Sequence, residues 1–228
     1  MQIIEATPGE NSPGEELLIH TLASELDDTY TLFQRVLLPR AREVIDAILV
    51  GPSGLLLLTT HEYAGTYACE GDEWFHSPDG GQSWQPGREN PIKQVLYDHI
   101  QLKSYLAREG LREVPLEKAV VLTHPRVNLI PQRPAARLFR LRELAAYARQ
   151  LTGQTYLTPA QVDEVVAALQ RTAPAAAPVQ VTRPAGGQVP QRTRHNRTTW
   201  LTALALLLLC ISAMCFAFAL VLVLQNLM

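Results

Sequence analysis

From Trp200 to Leu224 the chain reads WLTALALLLLCISAMCFAFALVLVL, 25 residues without a charge or a proline. As a helix this run is about 37 Å long, more than the roughly 30 Å of a bilayer's hydrocarbon core. A soluble helix of that length shows a polar face, and this one has none. The run predicts a single transmembrane helix over 199–225. Arg192, Arg194, His195 and Arg197 lie just before it, and the last acidic residue is Glu164. A basic flank favours the cytoplasmic side, so the expectation is a single-pass, tail-anchored protein of the cell membrane with its N-terminal region in the cytoplasm. The opening MQIIEATPGENSPGEELL lacks a basic segment followed by an apolar one and does not read as a signal peptide.

Composition sharpens this division. Hydrophobic residues make up 47% of the 228 and charged residues 18%, against roughly 25% charged in an average soluble chain. The apolar run raises the mean. The net charge of −2 also averages opposites, because residues 1–170 carry 15 Lys and Arg against 22 Asp and Glu, a net of −7. Such a domain is not a bulk, non-specific nucleic-acid binder, which works by neutralising phosphates. Cys69 stands alone, and Cys210 and Cys215 lie inside the apolar run, so no disulfide or zinc framework is expected.

Residues 172–198 are rich in Pro, Ala, Gly and Arg without hydrophobic periodicity and read as a linker. Residues 1–171 are long enough to bury their own core. Pro13 and Gly14 lead into a helix with Leu18, Leu22 and Leu26 on one face. YTLFQRVLLP reads as a strand, and Val44, Asp46, Ile48 and Val50 share one side of the next. The Gly51-Pro52-Ser53-Gly54 turn leads into an apolar strand over 55–60. A second hairpin is expected at Asp79-Gly80-Gly81, a helix after Asn90-Pro91, a strand at LEKAVVLTHP, and two short helices within 137–171, the last capped by Thr158. This order predicts an α/β fold, helices packed on a mixed sheet.

Asp46 is the residue that needs a reason. It sits in VIDAILV, where a carboxylate is costly unless it is paired, hydrogen-bonded or bound to a metal. A strand-end Asp bonded to a neighbouring amide is the simplest account. Its context adds another. Gly14-Glu15 at a helix start, Ile45-Asp46 on a strand, the GPSG turn, Gly65, Trp74, and Asn90-Pro91 with Gln94 form an ordered pattern. That pattern resembles the NERD (nuclease-related) domain of the restriction-endonuclease-like PD-(D/E)xK superfamily, over about residues 9–125.

The resemblance implies a restriction-endonuclease-like mixed sheet flanked by helices, and metal-dependent phosphodiester hydrolysis. In that family a helix Glu, a second-strand Asp and a third-strand Glu-x-Lys form the site. Carboxylates hold a hard cation such as Mg²⁺, which activates water, and the lysine orients the attacking water. Glu15 and Asp46 match the first two positions. The third-strand positions fall on Thr59 and His61, in Thr59-Thr60-His61-Glu62-Tyr63-Ala64-Gly65. The site is therefore degenerate: one metal ligand is lost, and a neutral imidazole stands in place of a fixed positive charge. On a regular strand Glu62 points away from Asp46 and would substitute only across a bulge; Glu43 has the same problem of parity. Gln94 matches a supporting position in related nucleases.

The expectation is a catalytically impaired NERD-like domain, 1–171, that binds nucleic acid or a protein, with Mg²⁺ held weakly or not at all by Glu15 and Asp46. One alternative is an active Mg²⁺-dependent nuclease using Glu15, Asp46, His61 and Glu62; another is a membrane-tethered protein-interaction module. Six arginines between Arg126 and Arg149 against one acid, Glu143, suit phosphate or lipid contacts but read first as a solvated face. Trp74 and Trp84 read as cross-strand packing.

Overall fold

The computed structural model describes residues 1–172. The linker 172–198, beyond its first residue, and the apolar run 199–225 lie outside the described residues. No helix among the described residues is long and apolar enough to cross a membrane.

A six-stranded sheet forms the centre. Its strands are β1 (Gln2–Glu5), β2 (Thr31–Val36), β3 (Ile45–Gly51), β4 (Gly54–His61), β8 (Leu116–Leu122) and β10 (Arg137–Arg140), in that spatial order. β2, β3 and β4 run antiparallel to one another; β1 on β2, β8 on β4 and β10 on β8 are parallel. A second sheet holds β5 (Gly65–Glu70), β6 (Glu73–Ser77), β7 (Gln85–Pro86) and β9 (Val127–Gln132), in the order β7-β6-β5-β9. The helices are α1 (Pro13–Glu25), α2 (Pro91–Arg108), α3 (Leu141–Leu151) and α4 (Pro159–Gln170).

The period-2 alternation of the central strands explains why both sheet faces are covered. Leu56 and Leu58 of β4, Leu49 of β3 and Val121 of β8 pack with Leu18, Leu22 and Leu26 of α1 and Leu144 and Ala148 of α3. Leu55 and Leu57, Ile48 and Val120 face the opposite way, onto Ile92, Val95 and Leu102 of α2 and Val165 and Leu169 of α4. Each buried Leu or Ile is worth about 1.5–3 kcal/mol against exposure.

The hairpin turn falls at Gly51 and Gly54, which pair with each other. Gly54 has φ +105°, a conformation that favours glycine. The mixed sheet and both terminal helices match the sequence reading, including the Thr158 cap, which accepts from the Gln161 N–H. β1 and β10 extend the sheet beyond residues 9–125, and residues 137–140, expected within a helical extension, are a strand. The second sheet is also an addition to the sequence reading.

Alternation breaks at one place. Arg35 has φ +54°, and beyond it Val36 and its partner Ile45 join the α2 face, whereas Ala47 belongs to the α1 face. Asp46 lies at that switch. The Arg35 side chain donates to the Glu10 carbonyl, 3.0 Å, and so ties the segment before α1 to the same strand end.

Candidate active site

The β3–β4 ladder ends where Ala47 faces Leu58. One residue further, the Asp46 carboxylate accepts the Thr60 backbone N–H at 2.8 Å and its hydroxyl at 3.2 Å. These bonds offset part of the cost of a half-buried carboxylate.

α1 brings its N-terminus to the same place. Ser12 caps the helix: its hydroxyl accepts the Glu15 N–H at 3.2 Å, and the Glu15 carboxylate accepts the Ser12 N–H at 2.7 Å. The Ser12 hydroxyl also donates to the Glu62 carboxylate. A Cβ on Gly14 would come 2.5 Å from Glu62 Oε1, so glycine permits that close approach. β4 ends at His61, which frees Glu62 from strand alternation. The expectation that parity turns Glu62 away from Asp46 is therefore corrected: its charge acts directly on Asp46.

Burial raises the pKa of Asp46 first; the Thr60 N–H pulls it back, and Glu15 and Glu62 push it up further. A residue that the sequence reading missed completes the cluster. Asp98 of α2 is 2% exposed, and burial, with the charges of Asp46 and Glu43, pushes it up to about 7 against a lowering by Gln94. Gln94 Nε2 reaches both Asp98 oxygens, at 3.1 and 3.3 Å. Gln94 thus supports the site through Asp98. The signal for Asp98 was available: it lies one helical turn after Gln94.

The third-strand positions do not join this cluster's chemistry. Thr59 is buried with its hydroxyl unpartnered among the described residues. His61 is turned into an aromatic box, with ring centroids 5.4 Å from Tyr63, 4.9 Å from Tyr67 and 5.3 Å from Trp74. Burial lowers its pKa to about 4, against a smaller rise from Glu89, so the imidazole is neutral at physiological pH.

As a metal centre the donor set is incomplete. Oxygen donors suit Mg²⁺, but Glu15 is engaged in the helix cap, Asp46 by Thr60 and Glu62 by Ser12. Among the described residues no group of three or more His, Cys, Asp or Glu converges to hold a metal ion. The residues present do not fit the three-carboxylate cage that the chemistry asks for. Of the arginines between Arg126 and Arg149, Arg137 pairs with Glu117 and Arg149 with Glu25, each at 3.0 Å, while Arg126, Arg133, Arg140 and Arg142 are exposed.

A mixed sheet carrying an Asp at the end of its second antiparallel strand, beside a capped helix with Glu15 in its first turn, defines a nuclease-related architecture. The model of the nuclease-related domain (NERD) family matches residues 10–123, half of the chain, and the chain belongs to that family. Comparison with curated proteins and with solved structures finds no match.

Proposed function

We propose that this is a NERD domain that no longer cleaves phosphodiesters effectively and acts by binding, tethered to a membrane by its C-terminal apolar run. The observation that carries this reading is His61. It occupies the position where the family chemistry needs a fixed cation, and it is neutral and enclosed by aromatic rings. With Thr59 in place of the family's glutamate, Mg²⁺ binding at Asp46 is weak. The surviving carboxylates then repel a phosphodiester instead of drawing it in.

Tethering is supported by the 25 uncharged residues from Trp200 and by the arginines before them. In this arrangement the domain stands in the cytoplasm on the 172–198 linker and binds nucleic acid or a protein there. Membrane fractionation tests the tether: the full chain is expected in the detergent-extractable membrane fraction, and appearance in the soluble fraction contradicts it.

One observation favours a second reading, a Mg²⁺-dependent nuclease with rearranged ligands. Glu62 lies on the Asp46 side of β4, beside Ser12 and Gly14. Under that reading Glu62 takes over from the missing glutamate. Glu62→Gln separates the two: it leaves an inactive domain unchanged and abolishes cleavage by an active one.

A further inference from the structure

The strand end that presents Glu62 to Asp46 presents His61 to a different space. That space is a cavity of about 430 Å³ between the end of β4 and the second sheet, lined by His61, Tyr63, Tyr67, His76, Arg88 and Glu89 among others. Its volume lies within the roughly 300–1,000 Å³ typical of small-ligand sites. We propose that this cavity is a binding site for a nucleoside phosphate, with the base between the aromatic rings and the phosphate on Arg88.

Three observations carry the proposal. The first is His61 itself: the residue is 5% exposed, and Nε2 is buried without a hydrogen-bond partner among the described residues. A buried polar nitrogen left unpaired costs on the order of 1–3 kcal/mol, so the cavity floor favours a ligand with a polar edge. The second is the walls. Tyr67 lies 5.2 Å from His76 and 4.9 Å from His61 between ring centroids, and Tyr63 stands half exposed at the mouth. Aromatic walls of this kind suit the π-face of a base.

The third is the charge at the rim. Arg88 and Glu89 are both exposed, and Glu89 accepts the Tyr63 hydroxyl at 3.3 Å. Arg88 offers the forked donor that matches a phosphate. Glu89 offers acceptors for ring and exocyclic N–H groups, which makes guanine the base that suits it best. A quaternary ammonium would satisfy the rings and Glu89, but it carries no N–H for the His61 nitrogen and it meets Arg88 as a like charge. His61 and Glu62 are neighbours in the chain, about 3.8 Å apart at Cα, so the cavity adjoins the carboxylate cluster on the far side of the strand end.

The proposal deepens the binding role above and rests on that reading only for its extension from a free nucleotide to a strand end. The test is calorimetric titration of the detergent-purified full chain with GMP, with a 5′-phosphorylated ten-nucleotide DNA strand, and with tetramethylammonium chloride. GMP is expected to saturate, with Arg88→Ala weakening it about tenfold or more and Tyr63→Ala weakening it as well; both residues are exposed, so neither substitution threatens the core. Binding of GMP without the strand supports the cavity and contradicts nucleic-acid binding as the wider function. Binding of the strand without GMP overturns the cavity proposal and leaves that function standing. Saturation by tetramethylammonium in place of GMP, or GMP binding unchanged in Arg88→Ala, also overturns it.

Discussion

At the scale of single residues the carboxylates repel one another, and that repulsion has a pH signature. Asp98 is held at about 7 against an ordinary 3.8. The folded state therefore keeps a proton that the unfolded state releases, and stability falls as pH rises from about 4 to about 7. Asp98→Asn removes this loss. The variant is expected to be more stable than the parent by about 1–3 kcal/mol at pH 8, with the difference vanishing near pH 4; urea unfolding at the two pH values checks it. His61 runs the other way. Its folded pKa of about 4 lies below the ordinary 6.5, so its share of stability is complete above about 6.5 and is lost as pH falls toward 4. The two trends oppose each other in the parent protein, and in Asp98→Asn the acid-side loss from His61 stands alone.

At the scale of elements, the site is made by the ends of α1, β3 and β4. Ser12 joins two of them, as N-cap of α1 and as donor to Glu62. Ser12→Ala is expected to cost about 1–2 kcal/mol in thermal or urea unfolding, as loss of an N-cap does. Gly14→Ala separates stability from site geometry. The atoms that a new Cβ would strike are the flexible end of Glu62, so stability changes by less than about 1 kcal/mol while Glu62 swings away from Asp46. Loss of residual Mn²⁺ affinity without loss of melting temperature is the expected pair of results.

The elements were legible in the sequence where periodicity and capping were strong: α1 through its Pro13 start and leucine face, β3 and β4 through their apolar runs, α4 through Thr158 and Pro159. β1, β9 and β10 are four to six residues long, two of them at sheet edges, and short edge strands leave little pattern to read. Asp46 and Glu15 could be singled out because a carboxylate in an apolar strand and a capped helix start are local signals. Asp98 could not, since its burial is fixed by how α2 lies on the sheet. Glu62 was placed on the wrong side because alternation was extended one residue past the end of β4.

At the scale of the whole molecule, an acidic NERD domain with six strands at its centre is followed by a basic linker and an uncharged run. If the run is the tether, the chain truncated after residue 172 is expected to move from the membrane to the soluble fraction; retention in the membrane would place the attachment within the domain. The same scale decides the enzymatic question, because the domain keeps a carboxylate cluster while the family's lysine position holds a neutral, enclosed imidazole. The most direct measurement is single-turnover cleavage of labelled DNA and RNA by excess full-length protein in Mg²⁺ or Mn²⁺, beside Asp46→Ala. The account predicts the same negligible product from both proteins. Metal-dependent cleavage by the parent that disappears in Asp46→Ala would contradict it.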